Sequence, residues 1–302
     1  MLMLTEALAH PQGQAQPTEA PAAAWRARAT GQAFLPPTRG TVYGVLLNHR
    51  DALAVLGEQV HAAPYKAPPK APVLYIKPRN TVVGHRVPVV VPDDAAELEI
   101  GATLGIVIGQ VASRVAEAQA LRHVAGYTIV NDISVPHASW YRPSMRFKCR
   151  DGFCPMGPMI VPRGTVADPD ALALSVAFDG SIVHRSSTAG LIRPVARLIA
   201  DVTEFMTLFP GDVLMVGVSA NAPRARAGQH VTIAIDGIGE LENLLVAEGA
   251  RSGSGRESPS VARSTMRSSI RRGFASPTAA CSPRTTWSGC RRSRSARSSR
   301  SG

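Results

Sequence analysis

The chain has 302 residues, 45% of them hydrophobic, and a formal charge of +11. The charge is concentrated at one end: residues 251–302 hold 12 Arg, no Lys and one acid, Glu257, while residues 1–250 carry 21 basic and 21 acidic side chains. A neutral body with this apolar content excludes a wholly disordered chain and a fold built around a nucleic-acid-binding face.

Residues 1–38 are rich in Ala, Pro, Gln and Thr without periodicity. A disordered leader, or a start codon chosen too early, is expected there, without the basic and apolar regions of a signal peptide. Thr41 to Leu47 reads as a buried strand. Asn48-His49-Arg50-Asp51 ends it, and Asp51 is placed to cap a short helix carrying Leu53, Leu56 and Val60. After a Pro/Lys loop, Val73 to Ile76 forms a strand with Lys77 at its end. Val87–Val91 and Leu104–Ile108 are further strands. Ser113 is the expected N-cap of a helix through Val115, Ala118, Leu121, Arg122 and Ala125.

The next stretch concentrates the chemistry. Strand residues Tyr127 to Val130 deliver Asp132 at their end, and Tyr141, Arg142, Lys148, Arg150 and Asp151 follow within twenty positions. A carboxylate so near a cluster of cations suits an anionic small molecule. Arg150 and Asp151 have an equal claim to pair with each other. Leu172, Leu174, Val176 and Phe178 then alternate, and Asp179-Gly180 marks a hairpin leading to Ile182 and His184. Ile192, Val195, Ile199, Val202, Phe205 and Met206 have helical spacing. Val213–Val216 and the alternating Val231, Ile233 and Ile235 are late strands. Many short strands with two or three helices predict one β-rich α+β domain over residues 39–250, with disordered ends.

Four cysteines, at 149, 154, 281 and 290, have no neighbouring His to make zinc spacing, and a reduced, cytoplasmic setting is expected. No apolar run reaches the ~18 residues of a membrane span. The 251–302 segment, 15 Ser and 12 Arg in almost no aliphatic pattern, is expected to be disordered. It reads either as an Arg/Ser nucleic-acid tail or as a GC-rich gene translated out of frame, and its lack of Lys favours the second.

Several runs together resemble one family. GYTIVND, RFKCRDGFCPMG and SSTAGLIRPVARLIADVTEFMTLFPGDVLMVG are similar to the fumarylacetoacetate hydrolase superfamily. LNHRDAL, PYKAPPKAPVLYIKPRNTVVG and EIGATLGIVIG resemble, more narrowly, the N-terminal half or subunit of the bifunctional decarboxylase/isomerases of 4-hydroxyphenylacetate degradation. The resemblance covers about residues 40–247.

It implies a mixed β-roll around a central cleft, and a divalent cation, Mg2+ or Mn2+, that stabilises an enolate. The implied ligands are a Glu-x-Glu pair and an Asp. Asp132 matches the Asp, whereas the Glu positions fall on Gly101 and Thr103; Glu97 and Glu99 lie nearby, as alternative ligands or as an exposed acidic turn. The implied His and Glu of a proton-transfer dyad fall on Ala52 and Val55, with His49 close by as a substitute base or a structural residue. Lys148 matches a Lys directed at substrate. Lys77, Tyr141, Arg142, Arg150, Asp151 and Thr188 are the remaining expected substrate contacts. Gly217-Val218-Ser219 stands where the family has Gly-Thr-Pro.

The function implied is decarboxylation of 5-oxopent-3-ene-1,2,5-tricarboxylate and isomerisation of 2-hydroxyhepta-2,4-diene-1,7-dioate, in a homodimer or a complex with a sister subunit. The alternative is a scaffold half, weakened in catalysis, that supports a metal-competent sister. Nucleic-acid and membrane partners are not expected.

Overall fold

A computed structural model describes residues 34–63, 66–137 and 145–249. Tyr141 and Arg142, residues 1–33 of the expected leader, and the 251–302 segment lie outside the described residues. The structured body starts earlier than the sequence suggests. Phe34 donates its backbone N–H to the His85 carbonyl (2.9 Å) and packs edge-on against the His85 ring, and Thr38 Oγ1 donates to the Gly211 carbonyl.

Among the described residues fourteen strands predominate over helices: β1 Val42–Leu46, β2 Val73–Lys77, β3 Val82–Val83, β4 Val89–Val91, β5 Leu98–Glu99, β6 Ala102–Ile108, β7 Val124–Asn131, β8 Cys154–Pro162, β9 Ala173–Phe178, β10 Ser181–Ser187, β11 Val213–Met215, β12 Arg224–Ala225, β13 His230–Ile235 and β14 Gly239–Ala247. A seven-stranded sheet runs β2-β1-β11-β6-β7-β8-β3, a five-stranded sheet β10-β9-β13-β14-β4, and β12 pairs with β5. Most pairs are antiparallel, but β1–β11, β3–β8 and β4–β14 are parallel, so the β-roll is mixed.

Strand β6 is buried along its whole length, which explains why its sequence is a continuous apolar run without alternation. Its two faces serve different clusters. Leu104 and Ile106 join Ile129, Leu174, Val176 and Ile233, while Val107 packs with Val130, Val213 and Met156 on the other side. In β9 and β13 one face alone is fully buried, and the sequence alternates accordingly.

Three α-helices among the described residues accompany the sheets: α1 Arg50–Leu56, the single turn α2 Met145–Lys148, and α3 Val195–Thr203. Asp51 does not cap α1; the N-cap is His49, without a side-chain hydrogen bond. The expected helix after Ser113 is a 3-10 turn, Glu117–His123, and Ala125 already belongs to β7. Pairing of its neighbours Val124 and Gly126 with Ile108 and Val107 of β6 carries Ala125 into the strand at the register shift between them, because ladder hydrogen bonds outweigh a weak local helical preference. Helix α3 buries Val195, Leu198, Ile199 and Val202, and its orphan N-terminal Val195 N–H donates to Asp170 Oδ1 at 2.8 Å. It ends before Phe205, whose ring is therefore 63% exposed. No helix of the described residues is long and apolar enough to cross a membrane.

Candidate active site

Strand periodicity builds the centre of the site. Tyr75 and Lys77 are two apart on β2 and point to the same side. Asp132 follows β7, and its N–H donates to the Gly101 carbonyl at 2.8 Å, which holds it opposite the start of β6. Lys148 closes the single turn α2.

These side chains meet. Lys148 Nζ donates to Asp132 Oδ2 at 3.0 Å, the Tyr75 hydroxyl donates to the same oxygen, and Lys77 Nζ stands 2.8 Å from Oδ1. Lys148 also lies 5.0 Å from the centre of the Tyr75 ring, within cation–π range. Lys77, Asp132 and Lys148 are 1%, 4% and 5% exposed. Burial opposes ionisation of Asp132, but the charges of Lys148 and Lys77 outweigh it and hold the carboxyl well below the usual carboxylate range. Tyr75 moves the other way: burial, then the Asp132 charge, push its phenol well above its ordinary value.

Lys77 has three N–H groups, and they go to the carbonyls of Ile133 (2.8 Å), Lys148 (2.8 Å) and Phe153 (2.9 Å). Asp132 Oδ1 thus faces the ammonium charge without a proton directed at it, and it is a buried acceptor with no hydrogen-bond donor.

A cavity of about 460 Å3 opens on this centre, lined by Tyr75, Glu99, Gly101, Asp132 and Lys148 together with Ala52, Val55 and the loop from Val218 to Ala222. The size lies within the ~300–1,000 Å3 of small-molecule sites. Glu99 is fixed beside Asp132 by reciprocal backbone bonds with Ser134 (2.9 and 3.2 Å). Burial raises its pKa, against the lowering charges of Lys148, His137 and Arg224. The loop is anchored by Asn48, whose amide donates to the Val216 and Arg193 carbonyls and accepts from Arg193 N–H. Beside it Leu47 adopts a left-handed backbone, φ 56°, that an L-residue holds only where its surroundings impose it.

Of the residues singled out in the sequence, the structure brings Lys148, Asp132 and Glu99 into this cavity. Lys77 stands behind Asp132 as its buried counter-ion and does not line the space. Glu97 does not line the cavity; it pairs with Arg224 (3.1 Å), which does, and with Arg226 (3.7 Å). Arg150 and Asp151 do not pair: Arg150 bonds Asp94 at 2.8 Å and Asp151 accepts from Asn80 at 2.8 Å, both outside the cavity lining. Thr188 accepts the Leu172 N–H at 2.8 Å and clasps β9. His49 does not line the cavity; Nε2 sits 3.0 Å from the Ser187 carbonyl and Nδ1 2.5 Å from Asp51 Oδ1, with Gly190 against its ring.

Two residues enter that the sequence reading did not single out as site residues. Tyr75 was legible in principle, two residues before Lys77 on the same strand face. Ser219 had no local signal beyond occupying a replaced family motif; it lines the cavity and lies 3.0 Å from His184 Nε2.

The residues present do not fit the implied three-carboxylate cation site. Glu99 and Asp132 are the two carboxylates of the cavity lining, and no group of three His, Cys, Asp or Glu suited to a metal occurs among the described residues. Both Asp132 oxygens already face ammonium groups. At Gly101 an added Cβ would stand 2.5 Å from the Asp132 carbonyl oxygen, and Thr103 Oγ1 donates to the Gly217 carbonyl at 2.7 Å.

The bifunctional 4-hydroxyphenylacetate degradation isomerase/decarboxylase of Salmonella dublin is 41% identical over 210 residues, covering 70% of this chain and 48% of that protein. The corresponding Escherichia coli protein is 39% identical with the same coverage. The chain thus spans about half the length of these curated relatives. Among solved structures, 2-hydroxyhepta-2,4-diene-1,7-dioate isomerase from Mycobacterium marinum matches with a TM-score of 0.58 and 31% identity, over 71% of this chain and 78% of that one. Fumarylpyruvate hydrolase from Pseudomonas aeruginosa, solved with Mn2+ and pyruvate, matches with a TM-score of 0.61 and 27% identity, over 73% of this chain and 94% of that one. The family model for the fumarylacetoacetate (FAA) hydrolase C-terminal region matches residues 41–246, most of the described body, and the chain belongs to this family.

Proposed function

We propose that this chain binds a small 2-oxo or 2-hydroxy di- or tricarboxylate in the cavity above Lys148 and acts as a decarboxylase/isomerase of 4-hydroxyphenylacetate breakdown. The substrates we assign are 5-oxopent-3-ene-1,2,5-tricarboxylate for decarboxylation and 2-hydroxyhepta-2,4-diene-1,7-dioate for isomerisation. The observation that carries this reading is the centre of two buried ammonium groups around one carboxylate. It holds an excess positive charge in a place where an incoming anion balances it. The names of the half-matching relatives supply the substrate class.

Both reactions pass through an enolate with negative charge on the substrate oxygen. On decarboxylation the pair from the breaking C–C bond passes through the alkene to the oxo oxygen. On isomerisation the departing proton leaves its O–H pair on the 2-hydroxyl oxygen, from which it forms the oxo group as the remote carbon takes up a proton. Lys148, held by Asp132 and Tyr75, supplies a preoriented positive charge for the oxygen that becomes negative. Asp132 keeps its own charge and positions Lys148, and Lys77 keeps Asp132 in place. No step here uses a divalent ion.

A second reading has its own support. The chain spans half the length of its curated relatives and has Gly101 and Thr103 at the implied Glu positions. On that reading it is a scaffold half that assembles with a metal-competent sister subunit. One experiment separates the two: the purified chain is assayed with each substrate, alone and with the sister half added. Turnover by the chain alone, lost in Lys148→Met, supports the first; turnover only in the mixture, unaffected by Lys148→Met, supports the second.

A further inference from the structure

The positions that correspond to the family's proton-transfer dyad, Ala52 and Val55, both line the cavity and carry no proton. In the same lining Ser219 contributes a hydroxyl that is 3.0 Å from His184 Nε2. Ser219 is almost fully buried and belongs to the loop that lines the same cavity as Lys148. His184 lies behind it on β10, partly buried, at the strand's register shift between Ile182 and His184. We propose that Ser219 and His184 form a proton-transfer pair in the cavity wall, with Ser219 touching the substrate and His184 acting through it. This inference rests on the assignment of the cavity as the site of an enol-to-oxo reaction.

The electrostatics suit acceptance of a proton. Burial lowers the pKa of His184, which favours the uncharged ring at neutral pH, and in the tautomer with its proton on Nδ1 the Nε2 atom accepts from the Ser219 hydroxyl. The titratable groups that bear on it are Asp51 of α1, which favours the protonated ring, and His49 ahead of α1, which opposes it. In the isomerisation the substrate 2-hydroxyl gives its proton to Ser219 Oγ as the Ser219 proton passes to His184 Nε2. The electron pair left behind forms the oxo group and moves the double bond. A proton from cavity water then enters at the remote carbon, and the hydroxide left takes the proton of the His184 imidazolium. Protons balance, and no co-reactant is consumed.

The test follows deuterium entry into 2-hydroxyhepta-2,4-diene-1,7-dioate in D2O by NMR, with the pH profile of turnover, for the full chain, Ser219→Ala, Ser219→Thr and His184→Gln. Binding of the unreactive dicarboxylate 2-oxoglutarate is measured in parallel. Ser219→Ala and His184→Gln should slow exchange about 100-fold, His184→Gln should remove the acidic limb of the profile, and Ser219→Thr should recover part of the rate, all with 2-oxoglutarate binding retained. Full-rate exchange by His184→Gln, an unchanged pH profile, or losses matched by lost binding would overturn the pair while leaving the functional assignment intact. A wild-type chain that neither exchanges nor turns over would instead sink the assignment, and the pair with it.

Discussion

Lys77 directs its three N–H groups at backbone carbonyls and still holds its charge 2.8 Å from Asp132 Oδ1. One side chain therefore does two jobs: it ties the segments at Ile133, Lys148 and Phe153 together, and it neutralises the buried carboxylate that orients Lys148. Stability and activity separate along this pair.

Lys77→Met removes a buried charge, leaves three carbonyls without their donor, and takes the counter-ion from Asp132 Oδ1 while Oδ2 keeps Lys148 and Tyr75. Breaking a buried ion pair from one side costs about 3–5 kcal/mol. The urea midpoint should fall accordingly, and a midpoint within experimental error of wild type would contradict the role assigned to Lys77.

Lys148→Met should behave differently. Its ammonium faces the cavity, so the larger effect is on the reaction: a loss of about 100-fold or more in kcat, the scale for removing a preorganised oxyanion donor. Lys148→Arg keeps the charge but not the compact geometry around Asp132 and Tyr75, and should recover only a small part. Steady-state kinetics on both variants checks this.

Gly101→Ala places a Cβ 2.5 Å from the Asp132 carbonyl oxygen, closer than backbone tolerates. The clash should move Asp132 and reduce both stability and substrate affinity, the stability by about 1–3 kcal/mol. Gly101→Glu should fail for the same reason to create a Mn2+ site. Mn2+ titration followed by electron paramagnetic resonance, on the wild type and on this variant, should show no stoichiometric high-affinity binding to either.

The acid response of the fold should involve His85. Burial lowers its pKa, outweighing the Glu242 charge, and its Nδ1 accepts the Glu242 N–H at 3.1 Å, a bond only the deprotonated nitrogen can make. With the folded value below the unfolded one, the contribution of His85 is fully present above the unfolded pKa of ~6.5 and is lost as pH falls through the folded value. Urea midpoints between pH 7.5 and 5 should therefore decline, and His85→Gln should flatten that decline.

The pattern of apolar residues by itself determined most of the strands, because alternation in β9 and β13 and the unbroken run of β6 report directly how many faces each strand buries. The tight clustering of Asp132 and Lys148 in the chain likewise pointed to two of the residues that line the candidate cavity. What depended on partners far along the chain did not show. Ala125 joined β7 because β6 was there to pair with Val124 and Gly126 on either side of it. Arg150 and Asp151 turned outward because Asp94 and Asn80 offered partners nearer than the cavity. Lys77 became a counter-ion because Ile133, Lys148 and Phe153 converge on it. Charge type and strand period are local properties that a sequence carries residue by residue. Which buried charge faces which other is settled only when segments more than fifty residues apart, such as those of Lys77 and Asp132, are brought within hydrogen-bond distance and the polar groups stranded there must find partners.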